Sequence, residues 1–146
     1  MGPMRTVLVT LTMVAAATGT AACGGNDRLT REEFVTKGNA ICASTSRRID
    51  AAAKKAFATS GTPTTDVIAA FAKDTAIPEI QKELKALADL TPPRETEATF
   101  DAALKEARGA LAKVEANPKD LADDSSDTFA KADELIKAAG LKACAE

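Results

Sequence analysis

The amino-acid sequence predicts an all-α fold, and three observations lead to this prediction. From residue 29 onward, apolar residues recur at intervals of three or four, which is the spacing of one helix face. No stretch alternates between apolar and polar residues as a strand does. Breaks rich in Gly, Pro, Ser or Thr divide the helical pattern into four runs. We therefore expect residues 29–146 to form an antiparallel four-helix bundle whose second helix is kinked at Pro78.

The first helix should begin at Thr30, where the chain carries a capping box. The Thr30 side chain can accept from the backbone N–H of Glu33, and the Glu33 carboxylate can accept from the backbone of Thr30. Leu29 and Phe34 flank this pair as a hydrophobic staple. The helix should run for about 28 residues, to near Thr59. Its apolar face consists of Phe34, Ile41, Cys42, Ile49, Ala52, Ala56 and Phe57.

The second helix should begin with Thr62 as its cap and Pro63 in its first turn, and it should end before Thr91. Pro78 removes one backbone hydrogen bond and clashes with the carbonyl of Asp74, which predicts a kink or two shorter helices. The apolar face of this helix consists of Val67, Ile68, Phe71, Ile77, Ile80, Leu84, Leu87 and Leu90.

The third and fourth helices are predicted over residues 95–116 and 118–139, with a turn at Asn117 and Pro118 between them. The apolar face of the third consists of Phe100, Leu104, Ala107, Leu111 and Val114. That of the fourth consists of Leu121, Phe129, Ala132, Ile136 and Ala139. These four runs complete the predicted bundle.

The first 22 residues have the layout of a secretory signal peptide. A start carrying the positive charge of Arg5 precedes an uncharged, mostly apolar run and then a group of small residues. Cys23 directly follows Thr20, Ala21 and Ala22, and this resembles the lipobox of bacterial lipoproteins. The resemblance implies that the chain is cut before Cys23, that its thiol carries a diacylglyceryl group, and that its new amino group is acylated.

This reading divides the chain into a signal peptide over residues 1–22, a lipidated cysteine with a short tether over 23–28, and the bundle over 29–146. The five residues that follow Cys23 reach at most about 17 Å, so the domain would lie close to the outer face of the membrane. Two alternatives stay open. Ordinary signal peptidase cleavage after Ala22 would give a secreted protein, and the uncharged run could remain as a transmembrane helix.

The composition excludes several classes of function. The chain has no His, Trp or Tyr, and its three Met all precede Cys23. Imidazole-based metal sites, the common haem ligands and the commonest general base are therefore missing, so we expect no enzyme, metal site or cofactor. The net charge of −2, with both signs interspersed, argues against a nucleic-acid partner, which requires a clustered basic face.

The end of the chain should fold back onto the first helix. Gly140 followed by Leu141 is typical of a left-handed helix end with an apolar contact. If Cys23 is acylated, Cys42 and Cys144 remain as an even pair in an exported protein, which predicts a disulfide. The bridge would close a loop of about 100 residues and stabilise the fold by about 4–5 kcal/mol. The alternative for each cysteine is a buried small apolar side chain.

Three further motifs resemble a functionally uncharacterised group of small, Ala-rich exported lipoproteins of actinobacteria. They are FVTKGNAICAS at 34–44, IPEIQKELKALADLTPP at 77–93 and KADELIKAAGLKAC at 131–144. The resemblance implies a cysteine in the first helix, a proline-containing second helix that ends in Pro-Pro, and a Gly-Leu-x-x-Cys finish. It covers nearly the whole chain after Cys23 and supports the predicted fold and location.

Two groups of charged residues are candidate binding sites. The acidic group could bind Ca²⁺, but it lacks the alternating ligands and central Gly of an EF-hand, and acids near a helix start also suit the helix dipole. It consists of Asp120, Asp123, Asp124 and Asp127. The basic group could attract anionic headgroups or form a solvated helix face. It consists of Arg47, Arg48, Lys54 and Lys55.

The predicted function is non-enzymatic binding of a protein partner or an envelope component at the membrane surface. The alternative is a carrier or sensor of a small apolar, lipid-like ligand, because a kink at Pro78 could open a groove between helices. The five phenylalanines lie on apolar stripes and are expected in the core rather than in a ligand box. They are Phe34, Phe57, Phe71, Phe100 and Phe129.

Overall fold

The computed structural model describes residues 27–58, 62–122 and 127–145. Within these ranges the protein is all-helical and contains no strand, which confirms the predicted fold class. The α-helices are α1 (Arg31–Ala56), α2 (Thr65–Phe71), α3 (Ile77–Ala88), α4 (Arg94–Ala116) and α5 (Ala130–Ala138). A π-helical turn (Ala72–Ala76) joins α2 to α3, and 3₁₀ turns form at Pro118–Ala122 and Lys142–Cys144. Cys23 and the predicted signal peptide lie outside the described residues.

The start of α1 confirms the predicted capping box. The Thr30 hydroxyl oxygen accepts from the Glu33 backbone N–H at 3.2 Å, and the Glu33 carboxylate accepts from the Thr30 N–H at 2.9 Å. These bonds satisfy backbone donors that the first turn of a helix otherwise leaves without a partner. The same carboxylate contacts lower the pKa of Glu33, with a smaller contribution from Lys37.

The segment before α1 is docked rather than free. Arg28 donates from Nη1 to the carbonyl of Pro92 at 3.0 Å and from Nη2 to the carboxylate of Glu97 at 2.9 Å. The backbone N–H of Leu29 also donates to the carbonyl of Thr91 at 2.9 Å. Arg28, which lies in the predicted tether, thus contacts the helical domain, and the start of α1 lies beside the connection between α3 and α4.

The second predicted helix differs from the structure at its start and its middle. Thr64, not Thr62, is the N-cap, and its side chain accepts from the Val67 N–H. The π turn directly precedes Pro78, and within it the N–H of Ile77 bonds five residues back to Ala72. Because Pro78 has no N–H and its ring crowds the preceding turn, a wider backbone turn accommodates it just before α3.

The fourth predicted helix is shorter than the sequence pattern indicated. Residues 118–122 form a 3₁₀ turn, and α5 begins only at Ala130. The sequence between these elements is rich in Asp and Ser, whose side chains compete for backbone hydrogen bonds and disfavour helix interiors. Leu121, predicted on the apolar face, is 37% exposed.

The end of the chain confirms the predicted return to α1. Gly140 has a φ of 98°, Leu141 donates its N–H to Ile136, and Gly140 donates to Lys137, which together form a Schellman motif. Leu141 is fully buried, and the backbone of Ala143 donates to the Asn39 side chain at 2.9 Å. The following turn then brings Cys144 back to the first helix.

The predicted disulfide between Cys42 and Cys144 is present. The two Cα atoms lie 4.9 Å apart, across a sequence separation of 102 residues. Cys42 is 1% exposed within α1, and Cys144 is half-buried in the C-terminal turn. The bridge therefore fastens the last residues of the chain to the middle of α1.

The core is built from the apolar faces that the sequence predicts. Phe34 on α1 and Phe100 on α4 meet edge to face, with ring centroids 5.0 Å apart, and both are buried. Phe57 and Phe71 form a second ring pair at 5.1 Å but are only half-buried. The core prediction is thus confirmed for the first pair. The largest fully buried side chains are Phe34, Phe100, Leu87, Leu141, Val114 and Cys42.

Replacing two helix-interior glycines by alanine, one at a time, should change the free energy of unfolding in opposite directions. A Cβ on Gly38 would come within 2.6 Å of the buried Leu141 side chain, whereas a Cβ on Gly109 would meet nothing within 4 Å. We expect Gly38→Ala to lower the free energy of unfolding by about 1–3 kcal/mol through overpacking. Gly109→Ala should raise it by about 0.5–1 kcal/mol through improved helix propensity. Urea unfolding of both variants tests this, and the same sign for both would contradict the packing described at Gly38.

Candidate functional site

A cleft opens between α1, α3, the start of α5 and the C-terminal turn. It has a volume of about 270 Å³, and a smaller cavity of about 60 Å³ extends from the same walls toward the core. Both spaces are lined by Ile80, Glu83, Phe129, Asp133 and Cys144. We refer to the two spaces together as the Glu83–Asp133 cleft.

The deeper cavity has mostly apolar walls, whereas the open part of the cleft is lined by apolar side chains and by the polar residues Thr45, Ser46, Glu83 and Asp133. Ile49 on α1, Ile80 on α3 and the half-buried Phe129 line its open part, together with the sulfur-bearing Cys144. The deeper cavity is otherwise walled by aliphatic side chains of α3, α4 and α5. These are Leu84, Leu87, Ala103, Leu104, Ala107, Ala132 and Ile136.

Glu83 faces α1 in a partly desolvated position. Burial is the main cause of its shift and raises its pKa above 4.5, while a hydrogen bond from Thr45 and the charge of Arg48 act in the opposite direction. The charge of Arg48 does not fully offset the effect of burial on the Glu83 pKa, because the guanidinium is directed to other groups. Its Nε pairs with Glu79 at 2.5 Å, and its two terminal nitrogens donate to Ser44 and Thr45.

Asp133 faces the same cleft from α5. Burial again has the largest effect and raises its pKa above 3.8, Lys137 one turn away lowers it, and the charge of Asp127 raises it further. The cleft thus holds two carboxylates for which the neutral form is favoured more than in water. A cation entering the cleft would stabilise both in their charged form.

The opposite pKa shifts of two neighbouring glutamates on α3 predict opposite pH effects. The raised pKa of Glu83 means that its contribution to stability is complete below pH 4.5 and is lost as the pH rises through its folded pKa. Glu79 pairs with Lys82 at 2.6 Å and with Arg48, and these contacts lower its pKa. Its contribution is therefore complete above pH 4.5 and is lost as the pH falls.

We expect the isosteric variants Glu83→Gln and Glu79→Gln to diverge with pH. Compared with the wild type, Glu83→Gln should gain stability as the pH rises from about 4 to about 8, because it never acquires the desolvated charge. Glu79→Gln should lose stability over the same range, because it lacks the two ion pairs. Urea unfolding across a pH series measures both. A Glu83→Gln curve that runs parallel to the wild type would contradict the burial of that carboxylate.

The structure places the cleft away from Pro78, where the sequence suggested a groove. Pro78 lines neither the cleft nor the deeper cavity, and the α3 residues that do so begin with Ile80. Phe129, expected in the core, is partly buried against it and also lines the cleft. The groove in this region is therefore formed by the return of α5 and the C-terminal turn toward α1 and α3.

Neither of the two charged groups considered in the sequence forms a single compact site among the described residues. Asp123 and Asp124 lie outside the described residues, and within those residues no group of three or more acidic or cysteine side chains is placed to hold a metal ion. In the basic group, Arg48 is held by Glu79 and by α1 itself. Lys54 and Lys55 are exposed in the last turn of α1, at the end opposite Arg28.

The sequence contains a signal for the cleft that periodicity alone does not reveal. Glu83 lies three residues after Ile80 and four before Leu87, so it falls on the apolar stripe of α3. Asp133 lies four residues after Phe129 and three before Ile136, on the corresponding stripe of α5. A carboxylate on a predicted core-facing stripe indicates either a buried polar contact or the wall of a solvent-filled space.

Comparison with known proteins gives no relative. No protein-family model, curated protein or solved structure matches the chain. The resemblance to small actinobacterial lipoproteins, drawn from short motifs, therefore stays a prediction. In the described part of the chain, no helix combines the length and the apolar character needed to cross a bilayer.

Proposed function

We propose that the chain is an exported lipoprotein whose helical domain binds a protein partner or an envelope component without catalysing a reaction. The observation that carries the binding proposal is the Glu83–Asp133 cleft. It is open, combines apolar with polar side chains above a mostly apolar deeper cavity, and bears two carboxylates whose pKa is raised by burial. Apolar walls with a few polar groups are typical of binding sites on folded domains.

The lipid anchor belongs to this proposal and rests on Cys23. Its support is the signal-like segment over residues 1–22, the lipobox resemblance, and the Cys42–Cys144 disulfide, since such bonds persist in oxidising compartments. With Arg28 docked, the proposed tether is the four residues between Cys23 and Arg28, which span at most about 14 Å. The alternative is a secreted protein cut after Ala22 without lipidation.

We also propose the antiparallel bundle and the kink at Pro78. The contact between Leu29 and Thr91 places the start of α1 beside the α3–α4 connection, and the Phe57–Phe71 contact places its end beside α2. These two contacts favour antiparallel neighbours. The π turn before Pro78 favours a change of helix direction at that point.

The position of the cleft favours a protein partner over the bilayer itself. Thr45 lies 14 residues into α1, or about 21 Å from the docked start of that helix at 1.5 Å per residue. With the anchor attached before Arg28, the cleft would open on the side of the domain, above the headgroups. A protein of the envelope can reach it there.

The volume of the deeper cavity argues against an enclosed lipid. It measures about 60 Å³, less than half of the roughly 150 Å³ cavity that accommodates a benzene molecule in another protein. A carrier of a lipid chain would require a much larger enclosed space. The apolar-carrier alternative therefore needs a change of structure that partner binding does not.

Native mass spectrometry separates these two readings. The domain purified from its own envelope is compared with the same domain refolded in clean buffer. We expect both samples to show the same mass, that of the chain with one disulfide and any lipid covalently attached to Cys23. Extra mass that survives gentle ionisation and disappears on refolding would favour the apolar-ligand carrier instead.

Site-specific photocrosslinking in intact cells tests the partner proposal. A photoreactive residue at Ser46, which is exposed and lines the cleft, should give a discrete crosslinked protein. The matched control is Asp101, an exposed residue on α4 that does not line the cleft. Equal labelling at both positions, or at neither, would count against the cleft as the binding surface.

The anchor is tested by Cys23→Ala. We expect the wild-type protein to partition into detergent and the variant to remain in the aqueous phase, because only the wild type can carry the lipid on its thiol. Continued partitioning of the variant would rule out lipidation at Cys23. The variant leaves the disulfide pair intact, so folding of the domain provides an internal control.

A further inference from the structure

We propose that the Glu83–Asp133 cleft accepts a basic side chain of a partner protein, with its alkyl stem against the apolar wall and its cationic head against the two carboxylates. The inference rests on the proposed function and names the chemistry that this surface recognises. It is drawn from charge complementarity, from the nature of the wall, and from the contacts that the chain itself leaves unmade.

The negative charge of the cleft is not neutralised by ion pairs of the chain. Among the described residues, no ion pair involves Glu83 or Asp133, whereas Glu79 and Glu97 are both paired with arginines. Arg48 is the cation whose charge lowers the pKa of Glu83, but its three guanidinium nitrogens are directed to Glu79, Ser44 and Thr45. Glu83 thus has no ion pair with it.

The surroundings of Asp133 have the same character. Lys137 lowers its pKa through charge alone, and Asp127 repels it, while burial remains the dominant influence. From α3, the charged residue that lines the same space is Glu83, a second negative group. Both carboxylates would therefore gain from a cation brought in from outside, because charge-assisted hydrogen bonds are about twice as strong as neutral ones.

The apolar part of the cleft wall determines which group can accompany the cation in the bound side chain. Ile49, Ile80 and Phe129 present hydrocarbon to the open part of the cleft. Lys and Arg side chains combine a long alkyl stem with a cationic end, which matches this arrangement. A purely apolar group would bury the carboxylates without a partner, and an acidic group would add repulsion. The cleft therefore discriminates by charge as well as by shape.

The test compares n-hexylammonium with 1-hexanol, an uncharged probe with the same alkyl chain, using NMR titration of the disulfide-bonded protein. We expect n-hexylammonium to shift the signals of Ile49, Ile80 and Phe129 in a saturable manner, and to bind at least about tenfold more tightly than 1-hexanol. Its affinity should increase as the pH rises and the two carboxylates ionise. The affinity of 1-hexanol should not increase.

Variants assign the effect to the two carboxylates. The Glu83→Gln/Asp133→Asn protein should bind n-hexylammonium at least about tenfold more weakly, down to the level of 1-hexanol. The control is Glu134→Gln, which removes one negative charge at the residue next to Asp133, where the side chain is 74% exposed. It should bind like the wild type. Because the two probes are also compared on the wild type, the test does not depend on the folding of any variant.

Three results would overturn the inference, and they have different consequences. Equal affinity for n-hexylammonium and 1-hexanol would show that the cleft binds through its apolar wall alone, which leaves the proposed partner-binding surface in place. Absence of saturable shifts in the cleft with either probe would remove both the inference and the cleft as a binding site. Equal loss of n-hexylammonium affinity in the Glu134→Gln control would also overturn the inference. The loss would then reflect the change in the net charge of the protein rather than the two carboxylates of the cleft.

Discussion

Replacing Cys42 and Cys144 together by alanine should lower the free energy of unfolding by about 2–5 kcal/mol. The bridge spans a sequence separation of 102 residues, so it constrains nearly the whole unfolded domain. A loop of that length corresponds to about 4.7 kcal/mol in the chain-entropy model. Domains of this size are stable by about 5–15 kcal/mol, so the loss is a large fraction of the total. Urea unfolding of the oxidised wild type and the double variant measures it.

Asn39→Ala provides the matched control for the disulfide prediction. It removes the hydrogen bond to the Ala143 backbone but keeps the covalent link, so its cost should be only about 0.5–1.5 kcal/mol. If the double cysteine variant lost no more stability than Asn39→Ala, the disulfide would contribute no more than another noncovalent contact of the C-terminal turn. Since Cys144 also lines the cleft, the cysteine variant should bind n-hexylammonium more weakly as its wall loosens.

The parts of the fold that the sequence predicted well are those controlled by local chemistry. Thr30 and Glu33 form the capping box because both partners are three residues apart, and Gly140 adopts positive φ because it has no Cβ. The disulfide was predicted from the pair of cysteines that remains if the chain is exported and Cys23 is acylated. Each of these inferences needs only neighbouring residues or a count.

The parts of the fold that differ from the sequence-based prediction depend on competition between local and long-range effects. Thr62 and Thr64 are both acceptable caps in sequence, and the structure uses Thr64. Helical spacing placed Leu121 and Phe129 on one stripe, yet Leu121 lies in a 3₁₀ turn and α5 begins only at Ala130. Periodicity reports which residues share a face, but it does not report whether the helix continues between them.

The cleft could be anticipated only in part. Glu83 and Asp133 lie on apolar stripes, which indicates that each faces other elements, but their meeting in one space depends on how α5 and the C-terminal turn pack against α1 and α3. That packing is set by Leu141 against Gly38 and by the disulfide, more than 100 residues apart in the chain. No spacing within one helix carries this information.

Phe34→Ala is expected to be the most damaging single substitution in the core, lowering the free energy of unfolding by about 3–5 kcal/mol. Phe34 is fully buried in the first turns of α1 and meets Phe100 of α4 edge to face, so its removal leaves a cavity between two helices. Phe57→Ala is the matched control, because Phe57 also belongs to an aromatic pair but is only half-buried. It should cost clearly less.

A double-mutant cycle separates ring contact from burial in this prediction. Phe34→Ala and Phe100→Ala remove facing sides of one contact, so the double variant should lose less than the sum of the single losses, by about 0.5–1.5 kcal/mol. Additive losses would mean that the rings contribute by burial alone. Because Arg28 lies just before α1 and its partner Glu97 lies on α4, loosening this contact should weaken that ion pair as well.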